Sequence, residues 1–173
     1  VANCLHAPLD IIIVRKIGHP LNPEYAISAI SENSEIVISP EAKELFNTKW
    51  FEREIAKQKS EIKRRRSMYL PQRKTRSLKE KIVILIDDGV ATGLSLKAAI
   101  KELRHFGPKE IVVAVPVISR EAAKELKSIC DDLVSLNISA DFQGSVGSYY
   151  QNFPQVEDDE VVSLLGETWG EEK

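Results

Sequence analysis

Ile82-Val83-Ile84-Leu85-Ile86-Asp87-Asp88-Gly89-Val90-Ala91-Thr92-Gly93-Leu94-Ser95 is the stretch that decides the fold of this 173-residue chain. Ile82 to Ile86 are apolar and mostly β-branched, which predicts a strand buried on both faces. Two adjacent carboxylates, Asp87 and Asp88, end it. Gly89, Ala91, Thr92 and Gly93 supply a small-residue turn, and Ser95 opens an amphipathic helix. Such a turn leaves backbone N–H groups unobstructed, and the helix dipole favours an anion beside it. The carboxylates can accept hydrogen bonds from two neighbouring hydroxyls, or take a metal ion directly or through water. Open α/β sheets bind ligands at the carboxyl ends of their strands. The residues alone therefore leave two readings open, a phosphorylated-sugar site and an acidic pair that merely caps a turn.

Working outward, Leu96 to Phe106 predicts a helix with apolar positions 96, 99, 100 and 103, stopped by Gly107-Pro108. Ile111 to Val117 reads as another buried strand. Ser119 caps a helix over Arg120 to Ile129, and Leu133 to Leu136 is a shorter strand. Alternating strands and helices demand parallel strands with right-handed crossovers. Upstream, residues 1–7 read as the last turns of a helix, with His6 structural, leading into a buried strand over Leu9–Val14. Arg15, Lys16, Ile17 and Gly18 follow it. Tyr25 to Ser31 and Glu35 to Ser39 flank Glu32-Asn33-Ser34 as a hairpin with a polar turn. Residues 41–69 are helical in pattern, with Thr48 as cap and Phe51, Ile55, Ile62 and Tyr69 on one face.

The basic run Lys63-Arg64-Arg65-Arg66, continued by Arg73, Lys74 and Arg76, has three readings. These are a solvated helix face, a lid that neutralises a polyphosphate, and a nucleic-acid patch. The last is the weakest, because interleaved aromatics and an overall basic balance are absent. The tail from Asp141 to Phe153 joins glycines to four aromatics and runs into an acidic helix over Asp158–Leu165. It either packs over the sheet edge or offers an aromatic wall to a planar acceptor.

Composition sets the outer limits. Hydrophobic residues make up 43% and charged residues 29%, the balance of a globular domain. Lys and Arg number 24 against 26 Asp and Glu, a net charge of −2 that does not favour nucleic acid. No apolar run approaches the roughly 20 residues of a membrane span. Cys4 and Cys130 have neither metal spacing nor a disulfide framework and read as buried or semi-buried free thiols, which places the chain in a reducing cytoplasm.

Asp-Asp-Gly-Val-Ala-Thr-Gly after an apolar strand resembles the phosphoribosyl-pyrophosphate (PRPP) motif of type I phosphoribosyltransferases. Pro8-Leu-Asp-Ile-Ile-Ile-Val-Arg-Lys-Ile-Gly18, Asn22-Pro-Glu24, Ala114-Val-Pro-Val117 and the Phe-x-x-x-Val-Gly-x-Tyr-Tyr-x-x-Phe-x-Gln pattern of residues 142–155 are similar to a bacterial and archaeal phosphoribosyltransferase-like subgroup. The resemblance covers almost the whole chain. It implies a doubly wound, mainly parallel α/β sheet in a single domain over 1–173. A hairpin and helical flap would be inserted at about 19–77, with the aromatic segment at about 141–173. Asp87 and Asp88 would hold the ribose hydroxyls and serve as the catalytic carboxylates. Gly89, Val90, Ala91, Thr92, Gly93 and Ser95 would wrap the 5-phosphate, and Arg15 and Lys16 would lie near the pyrophosphate. Mg2+ would arrive with PRPP, no residue being assigned as its direct ligand. The acceptor is not named by the resemblance, and a homodimer is expected only by analogy.

One departure matters. The subgroup usually begins with a strand and a Pro-Arg-Gly-Gly pyrophosphate loop, and no such segment occurs in this sequence. By family order that strand would lie beside the one ending at Asp87. The expectation is then a shortened product, or a gap closed by another pairing, between chains included. The functions that follow are phosphoribosyl transfer to a nitrogen acceptor with loss of pyrophosphate, or a non-catalytic PRPP or nucleotide binder. A phosphate-ester hydrolase is less favoured, for want of a nucleophile or metal cluster.

Overall fold

A computed structural model of the chain describes residues 1–71 and 76–170, and two three-stranded sheets organise it. A short helix, α1 (Ala2–Leu5), leads through an extended stretch into β1 (Val14–His19). β1 pairs antiparallel with β2 (Asn22–Ser31), and β2 with β3 (Ile36–Ile38). The β2–β3 turn places Ser34 in the left-handed region and donates the Ser34 N–H to the Ser31 carbonyl, as a polar turn requires. The expected hairpin is therefore present, with β1 as a third strand.

The strand expected over Leu9–Val14 begins only at its last residue. Ile13 is buried, and Leu9 and Ile11 pack against the same cluster as Ile30, Ile62 and Tyr69, so the apolar run does enter a core. A ladder also needs a neighbour to exchange backbone hydrogen bonds, and among the described residues none runs beside 9–13. A cleft of about 360 Å³ is lined by Asp10, Ile11 and Ile12 and by Val83, Ile84 and Leu85.

The second sheet is parallel, in the order β4 (Ile82–Ile86), β5 (Glu110–Ser119), β6 (Asp132–Ser139). Helices α3 (Leu94–His105) and α4 (Arg120–Leu126) make the crossovers. Their apolar faces (Leu96, Ile100, Leu103, Ala122 and Leu126) bury Leu85, Ile111, Val113 and Val115. The class is α/β as expected. The exception is the reading of β4 as buried on both faces. Ile82, Ile84 and Ile86 are 56%, 41% and 47% exposed, and Leu136 in β6 reaches 90%. Parallel sheets normally carry helices on both sides, and the described residues cover one.

After a 3-10 turn (Pro40–Leu45), helix α2 (Lys49–Tyr69) starts where expected, the Thr48 hydroxyl accepting from the Phe51 N–H at 3.2 Å. Phe51, Ile62 and Tyr69 are buried on the face the spacing predicts. Helix α5 (Asp158–Gly170) lies against α2, with the Tyr69 hydroxyl donating to the Asp158 carboxylate. None of the three readings of the basic run anticipates its partners. Arg64 bridges Glu61 and Asp158, both at 2.8 Å, Arg65 bonds Glu61, and Arg66 pairs with Glu32 at 3.0 Å. The two arginine bonds hold the Glu61 carboxyl down at about 2. These cations tie α2 to α5 and to the hairpin. Arg73 and Lys74 lie outside the described residues. No helix among the described residues is long and apolar enough to cross a membrane.

Candidate active site

The acidic pair sits where β4 ends. The Asp88 N–H donates to the Asp87 carboxylate at 3.1 Å, and the Gly89 N–H lies near the Asp88 carboxylate and favours its charged form. Burial pushes the Asp87 carboxyl above the ordinary range, and the Asp88 charge pushes it further; its bond from the Asp88 N–H and the Lys16 ammonium offset part of this. Asp88 is more exposed, yet desolvation raises it too, against the pull of Lys16 and of its backbone donor. Two carboxylates held close with little counter-charge form a site that gains from donors or a cation arriving with a ligand.

The turn after the pair is built by packing as much as by hydrogen bonds. Val90 is buried, its N–H donates to the Val117 carbonyl and its carbonyl accepts from the Ser119 N–H, each at 2.9 Å. Val90 therefore anchors the loop to β5, and its own N–H is already engaged. Ser119 has a second task besides capping α4: its hydroxyl donates to the Ala91 carbonyl at 2.7 Å. Among the described residues the N–H groups of Ala91, Thr92 and Gly93 have no partner, and Thr92 is exposed. Gly93, at φ +73°, caps α3 in a left-handed conformation that glycine adopts without strain. Ser95 lies in the first turn of α3, whose N–H groups have no intrahelical partner. A concave donor set from Ala91 to Ser95 beside two carboxylates suits a phosphate joined to a polyol.

The two basic residues after the first apolar run separate. Successive residues of a strand face opposite sides. Lys16 is exposed and acts on both Asp87 and Asp88. Arg15 turns to α2, donating to the Gln58 side chain at 3.1 Å; burial and the nearby Arg65 lower its pKa. The structure thus brings Lys16 to the acidic pair and Arg15 to the helix.

The tail completes the surroundings. Phe142 and Tyr149 stack at 5.1 Å, and the Tyr149 hydroxyl donates to Ser139 at the end of β6, pinning the segment to the sheet. Tyr150 and Phe153 stack at 4.9 Å, and the Tyr150 hydroxyl donates to the Asp88 main-chain carbonyl at 2.6 Å. Packing over the sheet and proximity to the acidic pair both hold for this segment. The contact between Tyr150 and Asp88, 62 residues apart, has no local sequence signal.

The model of the phosphoribosyl transferase domain matches residues 1–153. The chain belongs to the phosphoribosyltransferase family. Two Mycobacterium tuberculosis proteins, from strains H37Rv and CDC 1551, carry the name phosphoribosyl transferase provisionally. Each is 35% identical to this chain over 167 residues, which is 95% of this chain and 38% of the relative. The chain thus spans well under half the length of these curated relatives. The crystal structure of TT1426 from Thermus thermophilus superposes with a TM-score of 0.74 at 40% identity, over 96% of this chain and 79% of that one.

In this phosphoribosyltransferase-family chain, no group of three or more His, Cys, Asp or Glu among the described residues could hold a metal by itself. The acidic pair fits a divalent ion that takes most of its oxygens from a ligand and from water. Lys16 and Arg15 make a testable contrast. Lys16→Ala should weaken binding of pyrophosphate-bearing ligands severalfold, with a loss that shrinks at high salt, because an exposed charge is screened. Arg15→Ala should leave that affinity within about twofold and instead lower the melting temperature, through its lost contact with α2. Titration calorimetry at two ionic strengths and a thermal melt check both.

Proposed function

We propose that this chain binds PRPP with Mg2+ at the end of β4 and transfers its phosphoribosyl group to a nitrogen acceptor, releasing pyrophosphate. The observation that supports this reading is the juxtaposition of the acidic pair with the unpaired N–H groups of Ala91, Thr92 and Gly93. Asp87 and Asp88 would accept from the ribose 2- and 3-hydroxyls, while Ala91 to Ser95 would donate to the 5-phosphate. Lys16 would neutralise part of the pyrophosphate. The acidic pair would hold Mg2+ together with oxygens of the ligand and water, and the ion would supply charge neutralisation for the leaving group.

In the reaction the bond from C1 of the ribose to pyrophosphate breaks, and a bond from C1 to the acceptor nitrogen forms. Positive charge develops on the sugar, so two nearby carboxylates stabilise it, and no side-chain nucleophile is required. The protein's contribution is to orient the sugar from both ends. Val90, buried and bonded to β5, would hold the loop rigid without itself donating to phosphate.

Calorimetric titration with PRPP and Mg2+ should show saturable binding, and a panel of nitrogenous bases should include one that triggers pyrophosphate release. Absence of PRPP binding would sink the proposal. Binding without release across the panel would favour the second reading, a PRPP or nucleotide binder that does not transfer. That reading draws on the turning away of Arg15, which leaves Lys16 as the cation acting on the acidic pair among the described residues.

A further inference from the structure

We propose that Tyr150 is a positioning residue for the Asp88 carboxylate, acting through the Asp88–Gly89 peptide; this rests on the reading of Asp88 as a ribose ligand. The Tyr150 hydroxyl donates to the Asp88 carbonyl at 2.6 Å, on one side of that peptide. On the other side, the Gly89 N–H lies near the Asp88 carboxylate and favours its charged form. A peptide is planar and trans, so its C=O and N–H point in opposite directions and cannot be turned independently. Holding the carbonyl therefore fixes the main chain on both sides of the peptide: the Asp88 Cα from which the carboxylate projects, and the Gly89 N–H beside it. Donation to a carbonyl also polarises the amide, which makes its N–H a stronger donor.

The same tail segment secures the peptide a second time. A Cβ at Gly89 would lie 2.6 Å from Val146 Cγ1 and 2.8 Å from Val117 Cγ1, so the backbone there is wedged between the tail and β5. Val146 opens the 3-10 turn that ends at Tyr149, immediately before Tyr150. Phe153 stacks on the Tyr150 ring at 4.9 Å and lies against Gly147, which steadies the phenol. Among the described residues, the charged groups beside Asp88 are Asp87 on its own turn and Lys16 from β1; neither holds the peptide.

The test uses Tyr150→Phe, which keeps the ring and removes only the hydroxyl at a residue 36% exposed. Probes are ribose 5-phosphate and inorganic phosphate, titrated without magnesium, with a melt to confirm folding. Loss of one hydrogen bond should weaken ribose 5-phosphate binding about three- to tenfold. Inorganic phosphate, which does not need the carboxylates, should bind as before. Unchanged ribose 5-phosphate binding would overturn the proposal, and so would an equal loss for both probes, because that marks general loosening of the loop. If the unmodified chain bound neither ribose 5-phosphate nor PRPP, the proposed function would fall and this inference with it. A failure confined to Tyr150→Phe leaves the proposed function standing.

Discussion

Asp87→Asn/Asp88→Asn is expected to abolish most PRPP binding without weakening the fold. Each carboxylate offers charge-assisted acceptors to ribose hydroxyls, and such bonds are worth about 1.5–3 kcal/mol each. Losing both should weaken binding at least about a hundredfold, measured by calorimetry with Mg2+ present. Stability should move the other way. Burial raises both carboxyls above their unfolded values, and the Asp88 charge adds to this at Asp87. The native state therefore holds more protons than the unfolded state between the unfolded carboxylate range, about 4, and the raised folded values. Stability falls as pH rises through that window, and the cost persists at neutral pH. Asparagine removes it, so the double variant should melt at the same or a higher temperature at pH 7, and its advantage should shrink on acidification. A variant that lost binding and fold together would mean that the pair is structural.

Gly18→Ala is expected to cost about 3 kcal/mol or more, among the largest effects of any single methyl in this chain. A Cβ there would lie 1.9 Å from the Pro23 carbonyl oxygen and 2.8 Å from its Cα. These are backbone atoms of β2, so no side chain can rotate away. The β1–β2 register slips on both sides of Gly18, which lets the two backbones approach. Relief would require moving β1, two residues beyond Lys16, so PRPP affinity should drop along with the urea midpoint. A midpoint unchanged within error would mean that β1 and β2 are not this close in solution.

Gly18 shows how uneven the legibility of this sequence is. Its place after a basic pair says nothing of a strand crossing over it, because the close approach is made by Pro23 in the next strand. Thr48 is the opposite case: a hydroxyl before an apolar-periodic run reports on its own helix, and the cap forms three residues away. The hairpin turn at residues 32–34 is local in the same sense. The arginines of α2 were legible as charge but not as partners, since Asp158 lies over ninety residues from Arg64.

The candidate site divides along the same line. Strand, acidic pair, small-residue turn and helix start are contiguous, and short-range sterics and backbone hydrogen bonding shape them, so residues 82–95 by themselves determined the loop and the groups it presents. Which neighbours reach that loop was decided only by the tertiary structure. Alternation along β1 assigns Arg15 and Lys16 to opposite sides, but only the packing against α2 says which side each takes. The engagement of Val90 with Val117 and Ser119, the exposed isoleucines of β4 and the Tyr150 bond to Asp88 likewise depend on which surfaces meet. The physical reason is that local sequence sets backbone conformation and hydrophobicity, whereas a contact is a property of two surfaces brought together by the whole fold.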